Sequence, residues 1–158
     1  MDSAYKAELV ALGLPFEEMD AEIKAQWLTE LRSGERQQAK GTLRDGGEVT
    51  GFSYCCLGVL CDIIYPTQWT IDGQHDGSVG TPSMGVRDAA KLRDYHGEIW
   101  VTDGLLERFD ISGAYIGRRG HMTPFGGFIE QRTVYLTELN DSGEWSFERI
   151  ADLIEFAL

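Results

Sequence analysis

Disulfide material is scarce in this chain. It has three cysteines in 158 residues, and Cys55, Cys56 and Cys61 all sit within one seven-residue stretch. Adjacent cysteines rarely bridge each other, and no distant thiol exists to pair with them. A disulfide framework is excluded, and reduced thiols of a cytoplasmic protein are expected. No run of about 18 apolar residues occurs, so no membrane-spanning helix is expected. The opening Met1-Asp2-Ser3-Ala4 has neither the basic nor the apolar region of a signal peptide. Basic residues are also in short supply: 14 Lys and Arg stand against 26 Asp and Glu, a net charge of −12. Such a chain lacks the cations to displace phosphate counterions, which argues against nonspecific grip on nucleic acid. It equally lacks the basic face that docks on anionic lipid. No internal repeat or low-complexity tract divides residues 1–158, which read as a single domain.

Apolar residues are well supplied. At 42% hydrophobic and 11% aromatic, the chain can bury a core of its own. Asp20 suits the N-cap of a helix running to Arg32, with Ile23, Trp27, Leu28 and Leu31 on one face and Gly34 beyond its end. A shorter helix is expected from Ala4 to Leu12. Tyr54 to Tyr65 is apolar nearly all round and stops at Pro66, which predicts a buried central helix. Gly58 within it signals close approach by another backbone. Arg44-Asp45-Gly46-Gly47 has the chemistry of a hairpin turn. Val86–Tyr95 and Thr102–Phe109 read as helices, and Thr133–Leu139 fits either strand or short helix. Ser146 caps a last helix whose stripe is Phe147, Ile150, Ala151, Ile154 and Leu158, fed by a turn at Asn140-Asp141-Ser142-Gly143. Residues 67–85 and 113–128 are expected as long loops or insertions. The fold class expected is α+β and mainly helical: a compact domain with a buried central helix and a small β-hairpin or sheet.

Three blocks carry a resemblance. They are Trp27-Leu28-Thr29-Glu30-Leu31-Arg32-Ser33-Gly34 with Gln37 and Gly41, then Tyr54-Cys55-Cys56-Leu57-Gly58-Val59-Leu60-Cys61-Asp62, and finally Leu139-Asn140-Asp141-Ser142-Gly143 leading into Ser146 to Glu155. Their order resembles a family of small proteins encoded by bacteriophages and prophages. The stretch from Gly80 to Leu136 lies outside these blocks. The resemblance implies an accessory phage protein in the cytoplasm of an infected bacterium. Such a protein would counter host immunity by gripping a host defence protein or by sequestering a nucleotide immune signal.

The chemistry offered by the residues fits the second role. Arg32, Arg36, Lys40 and Arg44 recur through a glycine-punctuated stretch, and Arg118 and Arg119 could join them. Forked guanidinium donors suit phosphate, and glycines let backbone N–H groups approach an anion. Tyr54 could stack a base, while Gln37, Asn140 and Asp141 could supply polar recognition. The competing reading makes these arginines a solvated face paired with abundant acids. For Asn140-Asp141 it is an Asx turn.

The cysteines lack a second pair of zinc ligands. Cys55 and Cys56 would point about 100° apart on a helix, so packing is the expected role. A loop around Asp72, His75 and Asp76 lacks the distal carboxylate of a calcium site. The expected function is therefore a binding protein without cofactor, metal or turnover. It would sequester a small anionic, nucleotide-like ligand, with a homo-oligomer possible. The alternatives are an inhibitor that meets a basic host protein with its acidic surface, and a small hydrolase using Cys55 or Cys56 with His121 and Asp141.

Overall fold

A computed structural model describes residues 1–16, 18–47, 49–69, 71–72, 75–76, 82–122 and 126–158. Two helices open the chain: α1 (Ser3–Ala11) and α2 (Ala21–Arg32). Each begins at an aspartate whose side chain accepts from two first-turn N–H groups. Asp2 takes Ala4 and Tyr5, and Asp20 takes Glu22 and Ile23. These groups have no partner within a helix, so the caps stabilise each start.

A three-stranded sheet follows, made of β1 (Gln37–Gln38), β2 (Arg44–Gly47) and β3 (Gly51–Tyr54). β3 is central, parallel to β1 and antiparallel to β2. The hairpin is present, but Arg44 to Gly47 form one of its strands, with Arg44 opposite Tyr54 and Gly47 opposite Gly51. The chain thus reverses between Gly47 and Gly51, beyond the whole segment expected to turn.

Helix α3 (Cys56–Ile64) then runs through the centre of the molecule, with Cys56, Val59 and Leu60 wholly buried. Its N-terminus sits among apolar groups, so its polar atoms are satisfied by side chains. The Cys55 sulfur accepts from Gly58 N–H, Asn140 Oδ1 accepts from Cys56 N–H at 3.1 Å, and Trp27 Nε1 donates to the Cys56 carbonyl at 2.9 Å. Gly58 is held close to the loop before β2. A Cβ added there would stand 1.7 Å from the Leu43 carbonyl oxygen.

In the stretch expected as a loop over residues 67–85, a short antiparallel ladder joins β4 (Ile71–Asp72) to β5 (His75–Asp76), and helix α4 (Pro82–Ala90) begins before its end. Residues 73–74 and 77–81 lie outside the described residues. A second three-stranded sheet contains β6 (Glu98–Trp100), β7 (Gly117–Met122) and β8 (Phe128–Tyr135), with β8 central and both neighbours antiparallel. Between β6 and β7 come α5 (Asp103–Phe109), capped by the Thr102 hydroxyl, and a single 3₁₀ turn at Gly113–Tyr115. The long loop expected over 113–128 is therefore largely strand. Its glycines and arginines pair with β8 residues further along the chain, a signal no local window contains. Residues 123–125 lie outside the described residues.

Thr133–Leu139 resolves its ambiguity by being both, since β8 passes directly into α6 (Leu136–Ser142). Helix α7 (Phe147–Ala157) starts at the Ser146 hydroxyl, which accepts from Arg149 N–H, and buries Phe147, Ile150, Ala151, Leu153 and Ile154. Helices α2, α3, α6 and α7 share one core with both larger sheets. The molecule is a mainly helical α+β domain around a buried central helix. Among the described residues no helix is long and apolar enough to cross a membrane.

Gly58→Ala should destabilise the domain by about 3 kcal/mol, because the new methyl group meets fixed backbone rather than a yielding side chain. In a domain of this size that is a fall in Tm of roughly 10 °C, measurable by thermal denaturation. An unchanged Tm would contradict the packing described at Leu43.

Candidate functional site

The residues expected to form an anion site do not converge on one place. Arg32, at the end of α2, reaches α7, where its Nη2 bonds Asp152 at 2.7 Å and Glu155 at 2.6 Å. The hydrogen bonds with Glu155 and Asp152 raise its pKa. Arg36 bridges Glu30 through Nε at 2.8 Å and Asp62 through Nη1 at 2.7 Å. Burial opposes its charge, but those two bonds outweigh burial and its pKa is raised. Arg32 and Arg36 do border a shared cleft of about 310 Å³ beside the start of α7. Both guanidiniums are already committed to carboxylates there, so the anion expected at that place meets paired cations.

Arg44 is buried, with its guanidinium 4.2 Å from the Phe52 ring centre and 4.2 Å from that of Trp69. Tyr54 is buried against Trp69 and under Arg36, whose guanidinium carbon stands 4.8 Å from the ring centre. Burial raises its pKa. The ring expected to stack a base thus packs against protein groups. Lys40 lies against Gly143 at the end of α6, where an added Cβ would be 2.0 Å from its Nζ. Gln37 is exposed in β1, and its neighbour Gln38 points inward, donating to Asn140 Oδ1 at 3.0 Å and to the Trp145 carbonyl at 2.8 Å.

Asn140 and Asp141 belong to α6 rather than to a turn. Asn140 is fully buried. Its Oδ1 accepts from Cys56 N–H and Gln38, and its Nδ2 donates to the Ala39 carbonyl at 2.7 Å and to Asp141 at 3.0 Å. Asp141 also accepts from Gly41 N–H at 2.9 Å. The amide expected to read a ligand instead ties three segments of the core. On the second sheet, Arg118 is exposed and 3.5 Å from Glu130, while Arg119 bonds Glu98 at 2.6 Å. Their carboxylate partners lie on strands β8 and β6.

The cysteines are core groups. Cys55, Cys56 and Cys61 are all buried and unbridged. Burial pushes the Cys55 thiol up to about 11 and the Cys61 thiol to about 12, and raises that of Cys56 well above the ordinary value. All three stay protonated at neutral pH, and the thiolate is the nucleophile. Among the described residues no cluster of His, Cys, Asp and Glu could hold a metal ion.

A different concavity brings together charge and ring faces. α1, the chain at Pro15 and Phe16, the end of α4, and β6 enclose a cavity of about 380 Å³. Arg87, Lys91 and Arg93 border it together with Asp88, Glu98, Phe16 and Trp100, and Arg87 is already bonded to Asp88 at 2.6 Å. The Arg93 guanidinium stacks over the Trp100 indole at 4.0 Å and donates to the Pro15 carbonyl. Burial lowers its pKa. Trp100 is held from behind, because the Tyr5 hydroxyl donates to its carbonyl at 2.8 Å and its own Nε1 donates to Pro15 at 3.0 Å.

Lys91 follows α4 at φ 57°, the left-handed conformation. There Leu92 N–H bonds the Arg87 carbonyl at 2.9 Å and Lys91 N–H that of Asp88 at 3.4 Å. This is a Schellman ending, whose left-handed position usually belongs to glycine. Placing lysine there is strained, and such strain clusters at functional positions.

None of these residues stood out in the sequence. The available signal was a charged residue, Glu98, opening the apolar run Ile99-Trp100-Val101; all four are buried.

Residues 19–101, more than half of the chain, match the family described as Domain of unknown function (DUF8296), and the chain belongs to that family. No curated protein and no solved structure matches it. The matched region takes in α2, the first sheet, α3, α4 and β6.

Two outcomes follow from the core positions. Asn140→Leu should cost at least about 3 kcal/mol, since it strands Cys56 N–H, Gln38 and the Ala39 carbonyl in the core; chemical denaturation measures this, and a loss under about 1 kcal/mol would contradict it. A thiol reagent at pH 8 should label no cysteine in the native protein and all three after unfolding in guanidinium. Rapid native labelling would show a reactive thiolate and revive a cysteine-based chemistry.

Proposed function

We propose that this DUF8296 protein is a binding protein that takes a small anionic aromatic ligand of the nucleotide class into the cavity between α1, α4 and β6, holding it without turnover. The observation that carries this reading is the pairing, in one cavity of about 380 Å³, of the Trp100 and Phe16 rings with Lys91 and Arg93. That volume falls within the range of small-molecule sites. Ring faces suit a base, and the cations suit a phosphate. Asp88 and Glu98 border the cavity as well, so its cations are partly balanced there, in a chain whose net charge is −12. The ligand class is the one expected from the sequence, and the place is new.

Sequestration rather than conversion fits the buried, protonated thiols, which withdraw the strongest nucleophiles in the chain from chemistry. In the phage setting implied by the sequence resemblance, the ligand would be a nucleotide signal of host immunity, removed by binding.

The test is calorimetric titration of the full chain with mononucleotides, cyclic nucleotides and ADP-ribose, followed by heat denaturation and analysis of the released ligand. Saturable binding with intact ligand recovered supports the reading. Converted ligand makes the protein an enzyme, and no binding by any of them removes the nucleotide class. Lys91→Gly separates stability from function: it should stabilise the domain by up to about 1 kcal/mol by relieving the left-handed lysine. It should also weaken nucleotide binding about tenfold by removing a charge-assisted contact. A variant that is more stable and binds equally well would place the phosphate elsewhere.

A further inference from the structure

A residue at the cavity's border carries an acceptor that no described donor meets. Glu98 lines the cavity, and the side chain of Glu98 is wholly buried. Its Oε2 accepts from Arg119 Nη1 at 2.6 Å and lies 3.7 Å from Arg93 Nε. Its Oε1 is buried and has no hydrogen-bond partner among the described residues. A buried carboxylate oxygen without a donor is costly, and such groups in native proteins call for an explanation. Arg119 approaches from β7, Arg93 from the chain after α4, and Asp94 stands 3.8 Å from Arg119. Arg119 and Arg93 hold the carboxylate through Oε2 and not through Oε1.

Resting on the nucleotide reading above, we infer that Glu98 reads the base, and that the base is guanine. An ionised carboxylate only accepts. Guanine presents two adjacent donors, N1–H and the N2 amino group, along one edge. Adenine and cytosine place a ring-nitrogen acceptor beside their amino group, so a carboxylate meeting that edge faces a lone pair. Uracil flanks its single N3–H with two carbonyls. Guanine alone among the four offers a carboxylate a continuous row of donors. Trp100, two residues from Glu98 on the same strand face, supplies the aromatic surface beside that edge, and Lys91 stands at the cavity wall for the phosphate. Oε1 is closed to solvent in the ligand-free protein, so side chains must part to admit the base. Arg93 borders both the cavity and the carboxylate, and is the group whose displacement opens the way.

The experiment titrates the full chain with GMP, IMP and AMP. IMP differs from GMP only in lacking the N2 amino group. GMP should bind at least about tenfold more tightly than IMP, and more tightly still than AMP. Equal affinities for GMP and IMP overturn the role of Glu98 while leaving a nucleotide site in place; no binding of any of the three overturns this inference, and the wider panel then decides the parent reading. Glu98→Gln provides the second arm. Its amide oxygen must turn to Arg119, which puts an NH₂ donor where Oε1 stood, so the GMP-to-AMP preference should fall at least about tenfold. A folded variant that keeps the wild-type preference rules out Glu98, and if the variant does not fold, the wild-type GMP-to-IMP ratio decides alone.

Discussion

A single buried amide holds the centre of this molecule in register. Asn140 accepts from the first N–H of α3 and from Gln38, and donates to the Ala39 carbonyl. It thereby joins α6, the first strand of the small sheet and the start of the central helix. The constraint arises from the composition of α3, which is apolar on nearly every face and lies inside the core. A helix buried to its tip leaves N–H groups that water cannot reach, and their cost must be met by side chains. Cys55 sulfur and Asn140 meet it at the start, while Trp27 takes up the Cys56 carbonyl. Because all the hydrogen-bonding capacity of Asn140 is used within the core, the same residue has none left for a ligand.

The strongly negative charge explains the fate of the basic residues in a similar way. With nearly two acids for every base, a cation near the surface finds a carboxylate readily. Arg32 joins α2 to α7 through Asp152 and Glu155, and Arg36 joins Glu30 to Asp62. The first is exposed and contributes little stability. The second is half-buried, covers Tyr54 and fixes the loop that carries Asp62's other partner, Trp69. Cations serve the fold across the face expected to bind an anion. Three others border a cavity formed with α4, β6 and α1, and Asp88 and Glu98 border it beside them. That cavity lies where the family-matched region meets the first helix and the end of the last.

How much could be read from the residues in order varies with range. The caps at Asp20 and Ser146, the stripe of α7, the buried α3 and the close approach at Gly58 were all legible. Each depends on residues a few positions apart or on one unbroken apolar run. The hairpin was legible as a hairpin but displaced in register, because glycine tolerates both a turn and the crowded strand position where a Cβ on Gly46 would strike the Gly51 carbonyl oxygen. Strand β7 was not legible: Gly117-Arg118-Arg119-Gly120 has little strand propensity, and its pairing with β8 supplies the order.

Local sequence by itself determined the helices, their starting caps and the apolar segment at the centre, since helical periodicity and capping act within one or two turns. Tertiary structure alone decided which carboxylate each arginine meets, as with Arg32 and Asp152, 120 positions apart. It also decided that Asn140 is a core clamp and that Glu98, Trp100 and Lys91 share a cavity. Charge pairing and enclosure depend on distance in space, and chain order carries no record of that until the core has folded.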